Sequence, residues 1–443
     1  MGGAEVPPRV RLALMGSEGG HMSDEIRTTQ PETASANGHD GVREIEQEFV
    51  RGHLLQAYGC FSSGHKFCRE VCPVYQVTRN EQHTPTAFHA NVVAMEKGAA
   101  RLEDVAENYS YCTLCGGCEL RCPNTLFVGD FYRNRTRTVK LVQDMRAAAN
   151  KAGLGLWPQW QRWVEATMVG KNEPVLDYQN IQPVDPNRVA DWAKDLPFEI
   201  PKGGENILFV DCEAAYYRTS LPKAVAKILH AAGVPFGLMY EQWCCGGPSL
   251  EMGYPDHARY LAEHNVADWK KAGAKRVFVL DPHDYISFVD MYPQFFPPEE
   301  LPEFVFMIDF VAQLLDEGKI RFVKPIEKTV TYHDPCRMNK RLGKWEAPRK
   351  ILRAIPGLTF IDVDHVTQWA YCSGAGGGFA VEHPDLAKKI ADLRISRAKE
   401  LNVEALVSAC PWSERPLTSS GREQQLEVLD LLEMVAEAMG LND

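Results

Sequence analysis

Several absences narrow this sequence before any motif is read. No run of about 18 apolar residues occurs, so nothing argues for a membrane-spanning helix, and membrane contact would have to pass through a partner. Basic residues are in deficit: 48 Lys and Arg against 59 Asp and Glu give a formal charge of -11. That is the wrong sign for a nucleic-acid binder, whose surface must meet phosphates. No G-x-G-x-x-G turn follows a strand-like run with an acidic residue about twenty positions on, which argues against flavin or nicotinamide binding by that route. No secretory leader is recognisable either, so a cytoplasmic chain with reduced thiols is expected.

What is present is a chain of 443 residues, 45% hydrophobic and 24% charged, enough for two or three cores. Thirteen cysteines, several in C-x2-C spacing, read as metal ligands rather than a disulfide framework. The single basic cluster, Arg133, Arg135, Arg137 and Lys140, is expected to be a solvated helix face rather than a docking patch. Residues 1–42 read as a disordered leader, in which "GGHM" before Ser23 resembles a cloning scar ahead of a native start at Met22.

Residues 43–150 show apolar residues at three- and four-residue intervals, leading into two cysteine stretches, and predict a small helical domain. Residues 151–203 predict a helical and proline-rich linker, with Trp157, Trp160 and Trp163 as packing anchors. Beyond them, residues 204–325 and 326–443 look like two copies of one α/β unit. "NILFVDC" and "TVTYHDPC" open them, "WCCGG" and "YCSGAGGG" form their glycine-rich turns, and "KRVFVLDPHD" and "EALVSACPWS" close them. The metal-type residues thus fall where strands give way to loops, the usual ligand edge of an open α/β sheet.

"YCTLCGGCELRCP" places Cys112, Cys115, Cys118 and Cys122 in the C-x2-C-x2-C-x3-C-P spacing of cubane iron–sulfur proteins. In two-cluster proteins the fourth cysteine of each run serves the other cluster, which pairs Cys112, Cys115 and Cys118 with Cys72. A structural zinc site is the alternative, although it does not account for C-P endings in both motifs. The second site would take Cys122 with Cys60 and Cys68 from "GCFSSGHKFCREVCP", where seven residues separate Cys60 from Cys68 and no further thiol intervenes. Ser62, Ser63 and His65 are the candidates for its missing ligand, imidazole being the better-attested substitute. A cluster lacking one iron, or with one iron open to solvent, also fits three thiolates.

In the second half, Cys212, Cys244-Cys245-Gly246 and a four-residue motif from Asp281 share their spacing with Cys336, Cys372-Ser373-Gly374 and Cys410-Pro411-Trp412-Ser413. This frame resembles the cysteine-rich "CCG" domain of the heterodisulfide reductase large subunit and the glycolate oxidase iron–sulfur subunit. With the helical part in front, the resemblance covers nearly all of residues 43–438. It implies an α+β multidomain protein: a helical two-motif ferredoxin domain followed by a duplicated α/β CCG domain. Full members of the family use five cysteines per repeat to hold a non-cubane iron–sulfur cluster that reduces disulfides. Here each copy keeps three, because Asp281 and Asp284 stand in the first C-x2-C and Ser373 and Ser413 replace thiols in the second.

Hard carboxylate oxygens suit zinc or a lone iron better than a sulfide-rich cluster. The candidate ligands are Cys212, Cys244, Cys245, Asp281, His283 and Asp284 in one copy, and His333, Cys336, Cys372 and Cys410 in the other, where three thiolates and an imidazole would suit zinc. Buried thiols packed as small hydrophobes remain the alternative. The glycines of both turns imply backbone passing close to a neighbouring loop or a cofactor edge.

The function expected is an electron-transfer subunit in a heteromeric complex. It would carry electrons from a partner flavoprotein dehydrogenase to an acceptor such as electron-transferring flavoprotein, and it is similar in general pattern to the iron–sulfur subunits of dimethylglycine-type demethylating dehydrogenases. A heterodisulfide- or quinone-reductase catalytic subunit and a zinc-holding scaffold are the alternatives.

Overall fold

The computed structural model describes residues 39–123, 136–168, 175–177, 182–362 and 370–441. The leader up to residue 38 and Arg133 and Arg135 of the basic cluster lie outside the described residues. Of that cluster, Lys140 pairs with Asp144 one helical turn on. The first helix spans His39–Ser63 and so begins four residues before the expected boundary at 43. Asp40 sits in its first turn, where a carboxylate offsets the helix dipole. Its buried face, Ile45, Phe49, Val50 and Ala57, packs on the helix Pro85–Glu96, which Thr84 caps at Ala87 N (3.2 Å) and Pro85 starts.

Two short helices, Cys68–Val71 and Gly117–Arg121, pack together and make the two cysteine motifs structural counterparts. Each ends in a cysteine held extended by the proline that follows: Cys72 at φ -76°, ψ 112° and Cys122 at φ -76°, ψ 121°. Both C-P endings therefore turn the last cysteine away from its own loop. The helix Thr138–Lys151 follows, then Pro158–Met168, where Trp160 and Trp163 are fully buried. Trp160 Nε1 also donates to Glu382 (2.9 Å), so the tryptophans serve packing. The linker adds an antiparallel pair, β1 (Val175–Asp177) and β2 (Gln182–Val184), and a 3-10 helix, Pro186–Asp195.

The remaining strands form two parallel sheets. β3 (Asn206–Phe209), β4 (Arg276–Val279) and β5 (Glu303–Phe306) lie in that order, with a parallel bridge from Ile207 to Gly237 on the outer side of β3. β6 (Lys328–Tyr332), β7 (Leu358–Phe360), β8 (Ala405–Ser408) and β9 (Glu427–Asp430) adopt the order β7-β6-β8-β9. Once the Gly237 bridge is counted as the counterpart of β7, the two orders coincide. The central strands β4 and β8 are almost wholly buried, as the near-continuous apolar runs "RVFV" and "ALVS" require for parallel strands covered on both faces. Helices Ser220–Ala231 and Leu431–Ala438 pack one repeat on the other.

Candidate iron–sulfur and metal centres

Cys72, Cys112, Cys115 and Cys118 line one cavity, together with Val74, Phe88, Tyr111 and Val139. Leu114 (φ 53°) and Gly116 (φ 74°) bend the 112–118 loop so that three thiols face the same space. A lone zinc would draw its thiolates to about 3.8 Å of one another, given Zn–S bonds near 2.3 Å in a tetrahedron. The quartet is more open than that: among the described residues, the one group of three metal-type side chains with ligand atoms all within 4.8 Å is elsewhere.

Charge around the quartet suits an anionic group. The buried guanidinium of Arg146 lies behind Cys112, whose thiol burial pushes up to about 11 against that charge. Lys340 and Arg337, both buried, reach in from the second repeat. Two cysteine motifs and three cations thus provide what a cubane of net negative charge needs, and the four cysteines fit one.

The second motif gathers the residues expected at the companion site. Burial and then the neighbouring Cys68 and Cys122 push the Cys60 thiol up to about 12. Cys68 Sγ and Cys122 Sγ lie 3.2 and 3.3 Å from the hydroxyls of Thr86 and Thr136. The three candidates for the fourth position separate clearly here. Ser62 and Ser63 donate to Gly59 O (3.4 Å) and Cys60 O (2.7 Å) and are spent on the end of their own helix. His65 instead places Nε2 3.9 Å from Cys122 Sγ, and its buried Nδ1 has no hydrogen-bond partner.

The duplicated half brings its own thiols together differently in each copy. In the first, the neighbouring thiols of Cys212 and Cys245 draw Cys244 well below the usual thiol range. Cys245, His283 and Asp284 are the group whose ligand atoms all lie within 4.8 Å. Asp281 Oδ1 caps the following helix at His283 N (2.7 Å) and Asp284 N (3.2 Å). In the second copy, Cys372 packs with Cys336 and with Cys115 of the helical part, and its Sγ lies 3.7 Å from Thr113 Oγ1; the neighbouring Cys372 draws Cys115 well below the ordinary thiol range and Cys336 down to about 7. Cys410 lies elsewhere, with Sγ 3.5 Å from Asp281 Oδ2 across the boundary between repeats. His333 is turned to Arg394, whose Nε donates to Nδ1 (3.3 Å). The four residues of the anticipated zinc set are therefore not gathered at one point. Where thiols are missing, Ser373 donates to Ser413 (3.0 Å).

A buried polar chain joins these centres, and sequence reading missed it. His283 Nε2 pairs with Glu251 (3.3 Å), Glu251 with Arg337, and Arg337 donates to Leu114 O in the cysteine loop. Although burial opposes it, Arg337 and His283 draw Glu251 down to about 2. Arg146 donates to Tyr109 O, Cys112 O, Glu251 O and Gly377 O, pinning the helical part to both repeats. The basic run "RMNKR" after Cys336 is the sequence signal for Arg337 and Lys340; Arg146, inside an ordinary amphipathic helix, has none. The glycine-rich turn fits the same seam. A Cβ at Gly377 (φ +69°) would lie 2.9 Å from Cys112 O, so the bulky neighbour implied by "GAGGG" is the cubane-type loop.

Comparison with known proteins agrees with this arrangement. Residues 207–287 and 330–412 match the cysteine-rich domain family (CCG), and residues 56–126 match the 4Fe-4S dicluster domain family. The chain is 32% identical to a dihydromethanophenazine:CoB--CoM heterodisulfide reductase subunit from Methanosarcina barkeri, covering 88% of this chain and 95% of that protein. It is 25% identical to the EtfAB:quinone oxidoreductase of Syntrophomonas wolfei, over 90% of this chain and 60% of the relative. It is also 25% identical to a fumarate reductase (CoM/CoB) subunit from Methanothermobacter marburgensis, over 89% and 75%. Among solved structures, a hypothetical protein from Helicobacter pylori superposes with a TM-score of 0.55 at 10% identity, over 92% of this chain and 74% of that one, a likeness of fold. No helix among the described residues is long and apolar enough to cross a membrane.

Proposed function

Because the chain belongs to the heterodisulfide reductase family of cysteine-rich iron–sulfur proteins, we propose that it is an electron-transfer subunit. It would take electrons from a partner flavoprotein dehydrogenase and hand them to an external acceptor such as electron-transferring flavoprotein, with an N-demethylating dehydrogenase as the finer assignment of the partner. The observation that carries this reading is the position of Cys115. It belongs to the cavity formed with Cys72, Cys112 and Cys118, and it also packs with Cys372 of the second repeat, whose Sγ lies 3.7 Å from Thr113 Oγ1.

In this reading Cys72, Cys112, Cys115 and Cys118 hold one cubane cluster, and Cys60, Cys68, Cys122 and His65 hold an altered one. When bound, such clusters supply one-electron transfer without proton or hydride chemistry of their own. The protein's part is to keep the sites dry, to bring Lys340 and Arg337 beside the first, and to offer the His65 ring where the second lacks a thiol.

The test is electron delivery under anaerobic conditions. Reduced flavoprotein dehydrogenase should bleach the iron–sulfur absorbance of this chain, and Cys112→Ser should remove the part of that response that belongs to the first centre. Substrate oxidation by this chain alone would contradict the reading. His65→Ala should alter the magnetic signal of one centre and leave the other intact; two unchanged signals would remove His65 from the ligand set.

A catalytic heterodisulfide-reductase role is favoured by the relationship to the Methanosarcina barkeri protein. It requires a non-cubane signature in the oxidised protein that disappears in Cys244→Ser. The ligand set argues the other way, since Ser373 and Ser413 bond each other and Asp281 caps a helix.

A further inference from the structure

The cysteine-rich domain family implies an iron–sulfur cluster in each repeat, and the first repeat does not fit one. Of the two carboxylates at the C-x2-C positions, Asp281 is already committed: Oδ1 accepts from two backbone N–H groups and Oδ2 lies against Cys410. The other, Asp284, is only 4% exposed, and its buried Oδ2 has no hydrogen-bond partner. Asp211, just before Cys212, is likewise buried with Oδ2 unpartnered. Leaving buried carboxylate oxygens without a donor is costly, and a cation removes that cost.

We propose that the first repeat is a mononuclear site for a divalent transition metal, held by Cys245, His283 and Asp284. These three bring their ligand atoms within 4.8 Å of one another. One thiolate, one imidazole and one carboxylate form a mixed soft and hard set that suits zinc or ferrous iron and lacks the thiolates that a sulfide-bridged cluster needs. Glu251 completes the pattern seen around metal-bound histidines: its carboxylate takes one ring nitrogen of His283 (3.3 Å) and leaves the other for the ion. Arg337, behind Glu251, ties the same chain to the cysteine loop of the helical part. The inference is independent of the electron-transfer reading, because none of its three ligands belongs to a ferredoxin motif.

The experiment uses the full chain, purified anaerobically with its iron in place, stripped of loosely held metal and then given zinc alone. The expected result is about one equivalent of tightly held zinc, whose X-ray absorption shows both sulfur and nitrogen or oxygen neighbours. His283→Ala and Asp284→Ala should each lose that zinc while iron and acid-labile sulfide stay at the level of the unaltered protein. Failure of the unaltered chain to hold zinc would overturn the proposal, as would a shell of sulfur alone, or zinc retained in both variants. A fall in iron and sulfide together in Asp284→Ala would do the same, by placing a cluster at the site. The reading for the unaltered chain decides the matter even where a variant fails to fold.

Discussion

The two cysteine-rich repeats share one strand order and one cysteine frame, yet their interiors carry opposite charge. Aligned on Cys212 and Cys336, Glu213 in the first copy meets Arg337 in the second. Aligned on the prolines that start their long helices, Pro255 and Pro384, Asn265 meets Arg394 and His257 meets Leu386. Asp281 and Asp284 stand opposite Cys410 and Ser413. The first copy therefore surrounds its thiols with carboxylates, and the second surrounds Cys336 and Cys372 with Arg337 and Lys340. A duplicated fold has kept its backbone and divided its chemistry. One interior is built to receive a cation; the other lies against the anionic centre expected in the helical part.

The comparison breaks most visibly at the thiol that joins the second repeat to the quartet. Cys115→Ser should remove the quartet's cluster, read as a large loss of iron and labile sulfide, whereas Cys212→Ser should leave both nearly unchanged. Equal losses would erase the difference between the repeats. Next comes the ion pair between them. Arg337→Met leaves Glu251 buried without its main partner and should cost about 3–5 kcal/mol in denaturant unfolding. A cost within experimental error would show that Glu251 finds compensation elsewhere.

Burial pulls His257 down to about 4 from an ordinary value near 6.5. Between those values the unfolded chain takes up a proton that the folded one refuses, so stability is full above pH 6.5 and falls as pH drops toward 4. The loss from this residue is on the order of 3 kcal/mol. His257→Leu, which copies the second repeat, should flatten that acid limb; an unchanged limb would assign it to other groups. The smallest effect is expected at the serine pair that replaced thiols: Ser373→Ala should lower stability by about 1 kcal/mol and leave the iron content alone.

Much of this arrangement is legible in the sequence, for a physical reason. Ligand spacing and proline-terminated turns are local, so the grouping of Cys72 with Cys112, Cys115 and Cys118 around one cavity, and of Cys122 near Cys60, is anticipated by the two motifs by themselves. Parallel strands buried on both faces also announce themselves as short apolar runs such as "RVFV" and "ALVS". What spacing cannot convey is how one module lies against another. The Cys115–Cys372 contact, the Asp281–Cys410 approach and the Arg146 hub all join residues more than thirty positions apart. For the same reason His333, near Cys336 in sequence, turns to Arg394 instead of the thiols. The start of the first helix at His39 is hidden in the sequence because Asp40 and Gly41 are turn formers ahead of the amphipathic period.

The central claim is that the helical part carries two neighbouring iron–sulfur centres with separate ligand sets. Electron paramagnetic resonance of the dithionite-reduced, anaerobically purified full chain tests it most directly. Two magnetically interacting signals are expected, of which Cys112→Ser removes one and Cys60→Ser perturbs the other. A single isolated cubane signal, unaffected by Cys60→Ser, would contradict it.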